Sequence, residues 1–78
     1  MTIEEFKEIY NHVINNSYGY YIEESGKFAE VYGTWNGGKV TARGENFGLD
    51  RYLIIDGKKY HAVYNNGEWE KSVYVDKN

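Results

Sequence analysis

The sequence predicts an α+β fold, in which an N-terminal helix packs on one face of a twisted, five- to six-stranded antiparallel sheet arranged as a hairpin meander. Three observations predict it. Apolar residues recur at helical spacing near the N-terminus, hairpin-turn signals recur through the rest of the chain, and the segments between those turns are rich in β-branched and aromatic residues. The length of 78 residues suits a single domain, residues 1–78.

The helix is predicted over about residues 2–15. Thr2 and Glu5 have the spacing of a capping box, in which each side chain accepts a hydrogen bond from the other residue's backbone N–H. We expect the helix to end near Asn15 and Asn16, because asparagine tolerates the left-handed conformation that closes many helices. The apolar stripe of this helix consists of Ile3, Phe6, Ile9, Tyr10, Val13 and Ile14.

The rest of the chain is predicted to form strands joined by turns. Asn-Gly and Asp-Gly pairs favour two-residue hairpin turns, because both central positions require a positive φ. The expected turns are Ser25-Gly26, Asn36-Gly37-Gly38, Asp56-Gly57 and Asn66-Gly67. These turns and a longer connection, Gly44–Gly48, separate six predicted strands over residues 18–24, 27–35, 39–43, 49–55, 58–64 and 68–75.

The turns also predict the register of the strands, since a two-residue turn determines which residues face each other across a hairpin. The expected pairs are Tyr20–Val31, Ile22–Ala29, Leu53–Tyr60, Tyr52–His61, Tyr64–Trp69, Tyr60–Val73 and His61–Ser72. One face of the sheet then becomes largely apolar, and we expect the helix to cover it. Its members are Tyr18, Tyr20, Ile22, Ala29, Val31, Gly33, Trp35, Val40, Ala42, Leu49, Leu53, Ile55, Tyr60, Ala62, Tyr64, Trp69, Val73 and Val75, with Arg51, Lys58 and Lys71 as the charges.

The opposite face, which we call the open face, mixes aromatic and charged residues, and one helix is too few to cover it as well. Exposed tyrosine beside polar and charged groups is typical of protein–protein interfaces and paratopes. Glu30 between Tyr21 and Tyr32 is expected to bind an arginine or lysine of a partner. The predicted partner-binding residues are Tyr21, Phe28, Glu30, Tyr32, Arg43, Asp50, Tyr52, His61 and Tyr74. The alternatives are cross-strand packing on a solvated sheet, or self-association through this face.

Composition narrows the functional classes. The net charge of −3, without a basic stripe, disfavours binding to a nucleic-acid backbone. The chain has no cysteine and two histidines, so we expect no metal and no cofactor. No apolar run has the length of a membrane span, and the acidic start argues against a secretory signal. These features predict a cytoplasmic protein.

Two patterns approach known catalytic or phosphate-binding motifs. Residues 33–40 nearly match a P-loop, but Val40 stands where that motif has Ser or Thr, and the segment is predicted to be a hairpin tip. His61 is expected opposite Ser72 with Asp50 on a diagonal, which suggests a hydrolytic triad. Because an open sheet offers no preorganised oxyanion donors and does not exclude water, polar cross-strand packing is the favoured interpretation and no catalytic residue is assigned.

The leading functional hypothesis is a small non-enzymatic protein-binding module that inhibits a larger partner by occluding it. By analogy of class, it resembles phage and mobile-element proteins that block host defences, such as anti-CRISPR proteins, and its partner would be a bacterial nuclease or other defence effector. The alternatives are a small-ligand or nucleotide-binding domain that stacks tyrosines on a curved sheet, and a small hydrolase centred on His61. Other candidate interfaces are the connection Gly44–Gly48 with Phe47 at its tip, and the exposed side of the helix.

Overall fold

The computed structural model describes residues 1–45 and 49–76, and within them it has the predicted α+β architecture. One helix, α1 (Ile3–Asn15), precedes an antiparallel sheet. The strands are β1 (Gly19–Ile22), β2 (Phe28–Trp35), β3 (Gly38–Glu45), β4 (Asp50–Ile55), β5 (Lys58–Asn65), β6 (Glu68–Trp69) and β7 (Tyr74–Asp76). The predicted connection between β3 and β4, with Phe47 at its tip, lies outside the described residues.

The two ends of α1 show how far local rules apply. The predicted capping box is present: the Glu5 N–H donates to Thr2 Oγ1 at 3.1 Å, and the Thr2 N–H donates to Glu5 Oε1 at 3.3 Å. The helix ends where predicted, but the left-handed cap is wrong, because Asn16 has a φ of −129°. Its backbone N–H and its side-chain amide both donate to the His12 carbonyl, at 2.9 and 3.1 Å, and this closes the helix instead.

The sheet is a meander in which each strand pairs with the next, in the order β1-β2-β3-β4-β5-β6, and β7 also pairs with β5. Three turns have positive φ at both central residues, as predicted: 50° and 80° at Asn36-Gly37, 51° and 77° at Asp56-Gly57, and 54° and 78° at Asn66-Gly67. This conformation matches the right-handed twist of the flanking strands. The register of the β2–β3, β4–β5 and β5–β6 hairpins therefore follows from turn chemistry.

The last predicted strand is wrong, because it divides into β6 and β7. Tyr64 faces Trp69 as expected, but Tyr60 faces Val75 rather than Val73, and His61 faces Tyr74 rather than Ser72. Glu70 N–H still donates to the Val63 carbonyl at 2.8 Å, but residues 71–73 then leave the ladder, and Val73 packs against the hydrophobic core. The shift is two residues, and because side chains alternate with a period of two, every later residue keeps its predicted face.

The core lies between α1 and the face of the sheet that was predicted to be apolar. Its buried members are Phe6, Ile9, Val13, Val40, Ala42, Leu53 and Ala62, all on the predicted helix stripe or sheet face. Close approach of α1 to the sheet requires a glycine on β2. A Cβ at Gly33 would lie 3.1 Å from Val13 Cγ1, so the missing side chain lets the helix settle against the strand.

The helix covers less of that face than predicted. Tyr18, Tyr20, Ile22, Leu49 and Val75 were assigned to the covered face, yet each is about half exposed or more. A helix is about 10 Å wide and strands lie about 4.8 Å apart, so one helix covers roughly two strands. Helix α1 packs mainly on β2 and β3, which leaves the β1 edge of the sheet open to solvent.

Candidate functional site

Six of the nine predicted partner-binding residues form one straight row across the open face. They are direct neighbours on successive strands, running Tyr21, Glu30, Arg43, Tyr52, His61 and Tyr74 from β1 through β2, β3, β4 and β5 to β7. We call this the cross-strand row. Because side chains directly opposite on one face are about 5 Å apart, the members of the row lie side by side and form one continuous surface.

Arg43 organises the β1 half of this row. Its Nη1 donates to Glu30 Oε1 at 2.8 Å, and its Nη2 donates to Glu23 Oε1 at 2.7 Å. Its guanidinium carbon lies 4.3 Å from the centre of the Phe28 ring. The hydrogen bond to Glu23, together with Glu30, raises the pKa of Arg43 above its ordinary value although burial opposes this. The arginine therefore ties β1, β2 and β3 together on this face.

Glu30 already accepts two hydrogen bonds within the molecule, and its expected contact with an arginine or lysine of a partner stays a prediction. Its Oε1 accepts from Arg43, and its Oε2 accepts from the Tyr32 hydroxyl at 3.1 Å. Desolvation and this hydrogen bond raise the pKa of Tyr32, so its hydroxyl keeps its proton more firmly. The carboxylate therefore holds the Arg43 guanidinium and the Tyr32 hydroxyl in place on the open face.

His61 organises the other half of the row. Its Nε2 lies 2.6 Å from Asp50 Oδ1, and its ring stacks on Tyr52 with centroids 4.7 Å apart and planes 19° apart. The Tyr74 ring lies 6.0 Å away on the opposite side. Lys59 Nζ sits 4.4 Å from the centre of the Tyr52 ring. These contacts fix the histidine between two tyrosines, with its side chain about a quarter exposed.

The structure brings together only part of the triad that sequence suggested. Asp50 and His61 meet as expected, but the two-residue shift before β7 places Tyr74, not Ser72, opposite His61. The position predicted to hold a nucleophile therefore holds an aromatic side chain. Among the described residues no three His, Cys, Asp or Glu side chains are grouped closely enough to hold a metal ion.

Two contributors to the site were missed at the sequence level. Glu23 binds Arg43, and Lys59 lies over Tyr52, yet neither was predicted to be a site residue. Lys59 reaches Tyr52 diagonally from the neighbouring strand, whereas Glu23 reaches Arg43 across β2. Long side chains can span such distances, so the placement of both residues on the open face was the available signal.

Exposure is greatest at the two ends of the row. Tyr21 and Tyr74 are each 54% exposed, whereas the residues between them are half-buried by their neighbours. Four surface concavities formed by described residues lie elsewhere, and none is lined by a predicted partner-binding residue. One of them, of about 220 Å³, lies between α1 and the sheet beside Tyr10 and Ile14.

A scan of protein-family models, a search of curated proteins and a search of solved structures each returned no match. In the described part of the chain, no helix has the length and apolar character needed to cross a membrane.

Proposed function

We propose that this protein is a non-enzymatic binding module that inhibits a larger protein by covering part of its surface with the open face. The observation that carries the proposal is the cross-strand row, in which Arg43 pairs with Glu30, Asp50 contacts His61, and the His61 ring stacks on Tyr52. Such a surface is already ordered before it binds. Binding then loses less side-chain entropy, which favours affinity.

The charges of the open face indicate the chemistry of the partner. Its described strands and their ends carry four carboxylates, on Glu23, Glu30, Glu45 and Asp50, against three cations, on Lys39, Arg43 and Lys59. The whole chain has a net charge of −3. An acidic, tyrosine-bearing surface is complementary to a basic one, because opposite potentials speed encounter and exclude like-charged partners.

A basic surface is what proteins that handle nucleic acids present to their substrates. The proposed partner is therefore a nucleic-acid-processing enzyme such as a bacterial nuclease or another defence effector. The proposed class is a phage or mobile-element inhibitor of the anti-CRISPR type, working in the cytoplasm of the host. The alternative of a tyrosine-lined ligand site finds less support, since the predicted residues line none of the four concavities described above.

Affinity purification from a bacterial lysate, followed by mass spectrometry, tests the proposal when three baits are compared. They are the wild-type chain, the Tyr52→Ala variant of the open face, and Ile14→Ala as a control. Ile14 is a 41% exposed apolar residue on α1, remote from the open face. We expect a basic protein that the wild type and Ile14→Ala capture and Tyr52→Ala does not.

The purified partner then has to lose its own activity when the wild-type chain is added in equal amount. Inhibition by wild type and by Ile14→Ala, but not by Tyr52→Ala, supports occlusion through the open face. Equal capture and inhibition by all three folded baits would assign binding to another surface. Capture without any inhibition would contradict the inhibitor function.

A further inference from the structure

The outer edge of β1 carries exposed aromatic and aliphatic residues and no charge. Tyr20, Tyr21 and Ile22 are 72%, 54% and 52% exposed, and Tyr18 just before the strand is 66% exposed. No described strand pairs with this edge, because β1 is the first strand in the order of the sheet. Residues 17–22 contain no Asp, Glu, Lys, Arg or Pro. Charged residues and proline are among the means by which natural edge strands prevent pairing, and residues 17–22 have neither.

The backbone of β1 presents hydrogen-bonding groups to solvent in a symmetric pattern. Glu23 N–H bonds the Phe28 carbonyl at 3.0 Å, so the pair formed by these two residues is a hydrogen-bonded one. Such pairs alternate along an antiparallel ladder, so Tyr21, opposite Glu30, also bonds to β2. The N–H and C=O groups of Tyr20 and Ile22 therefore point outward, one residue on either side of Tyr21.

The other edge of the sheet is built differently. There β5 is paired with β6 and β7, which are two and three residues long and are separated by residues 70–73. Glu68, Glu70 and Lys71 place charges along that edge. Short strands, an interruption and charges all discourage strand addition. The contrast between the edges singles out β1 as the one suited to pairing.

We propose that β1 pairs antiparallel with β1 of a second copy of this chain, about a twofold axis that passes beside Tyr21. Tyr20 then exchanges backbone hydrogen bonds with Ile22 of the second copy, and Ile22 does so with Tyr20 of the second copy. Two-fold pairing satisfies all the outward groups because they are arranged symmetrically about Tyr21. The uncharged segment also meets its own copy without like charges opposing each other at the centre.

The contact is short, so its strength is expected to be low. Four residues from each copy bury far less than the roughly 1,600 Å² of a standard stable interface, which places the pair among weak associations. The dimer should therefore form in a concentration-dependent way. The pairing is independent of the proposed partner binding, although it would join two open faces into one continuous sheet.

Disulfide trapping tests this geometry directly, because the chain has no cysteine of its own. In the proposed register Tyr21 faces Tyr21 of the second copy as a non-hydrogen-bonded pair, with Cα atoms about 4.5 Å apart. A disulfide accepts Cα separations of about 4.4–6.8 Å. We expect Tyr21→Cys to form a disulfide-linked dimer several times faster than Thr34→Cys, an exposed control position on β2.

Equal trapping rates for the two folded variants would overturn the proposal, and faster trapping through Thr34→Cys would assign association to the open face instead. Sedimentation velocity of the wild type over a concentration series supplies the second readout. It should show 9.1 kDa monomer giving way to dimer as concentration rises. A monomer at every concentration would also overturn the proposed dimer. The same holds if β1 pairs with a strand of another protein and not with a second copy.

Charge exchange across the edge tests the register. The double variant Tyr20→Lys with Ile22→Lys, and the double variant with glutamate at both positions, should each remain folded monomers by circular dichroism and sedimentation. Mixing the two should restore a dimer, because each lysine then faces a glutamate of the other copy. No association in the mixture, or unchanged dimerisation of either variant alone, would contradict the predicted pairing.

Discussion

Val13 of α1 lies directly against Gly33 of β2, so closely that a Cβ added to the glycine would sit 3.1 Å from Val13 Cγ1 and 3.4 Å from Val13 Cα. Both residues are buried. Valine is β-branched and has little rotamer freedom in a helix, so its side chain cannot easily turn away. The distance between helix and sheet is therefore set at this contact.

Gly33→Ala should destabilise the domain by about 1–3 kcal/mol, because overpacking forces the helix or Val13 to shift. The measurement is the free energy of unfolding from urea denaturation. Gly19→Ala is the matched control, since a Cβ there would meet only Tyr32 Cδ2 at 3.8 Å, an ordinary contact. If both variants unfold at the same urea concentration as the wild type, the helix does not approach the sheet at Gly33.

Much of the fold follows from local rules that sequence carries openly. The helix cap depends on residues three apart, and the Asn-Gly and Asp-Gly turns depend on residues next to each other. Once the turns are known, register and faces follow. The division of the last strand does not follow, because Val73 leaves the ladder to pack against a core formed by distant residues. A tertiary contact outweighs the local hairpin signal there.

The site shows the same division between local and global information. Turn-based register aligns Arg43 with Glu30 and Tyr52 with His61, but it placed Ser72 instead of Tyr74 opposite His61, so only part of the cross-strand row is predictable. The link from Arg43 to Glu23 spans two strands and depends on how a long side chain crosses Phe28. How far the helix covers its own face depends on its placement. Alternation assigned Tyr20 to the covered side but did not show that it is exposed.

Leu53→Ala and Tyr52→Ala should differ strongly although the residues are neighbours on β4. Leu53 is fully buried beneath α1, so its truncation opens a cavity and should cost about 2–5 kcal/mol of stability. Tyr52 is only half-buried on the open face, so its truncation should lower the stability clearly less. Urea denaturation of the two variants gives the comparison. A larger loss for Tyr52→Ala would mean that the open face is the true core.

The free energy of unfolding should fall at alkaline pH, partly because Tyr10 loses its proton. Burial raises the pKa of Tyr10, with Arg51 opposing the effect. The folded chain then holds this proton more tightly than the unfolded chain, whose tyrosines titrate near 10. The stabilisation is complete below that pH and is lost as pH rises through the higher pKa of the folded state.

The test is the free energy of unfolding measured on both sides of the ordinary tyrosine pKa, for the wild type and for Tyr10→Phe. Phenylalanine has no proton to lose, so the variant should show a shallower decline with rising pH. Parallel declines in the two proteins would show that Tyr10 titrates alike in the folded and unfolded chains.

Partner binding should depend most on tyrosines of the cross-strand row. Tyrosine offers a large contact area and a hydroxyl at low entropic cost, and here the Arg43–Glu30 ion pair and the Asp50–His61 contact hold neighbouring groups in place. Truncating Tyr52 at the centre of the row should cost at least about 2 kcal/mol of binding free energy, as central hot-spot residues do. Titration calorimetry with the captured partner measures this loss.

Charges at the margin of the face should act differently from the central tyrosine. Glu45→Gln should slow association and reduce its salt dependence while leaving the dissociation rate nearly unchanged, because rim charges chiefly steer encounter. Ile14→Ala on α1 should change neither rate. Surface plasmon resonance at several salt concentrations separates these effects. If Ile14→Ala weakens binding and Tyr52→Ala does not, while both variants remain folded, then the interface lies on the helix rather than on the open face.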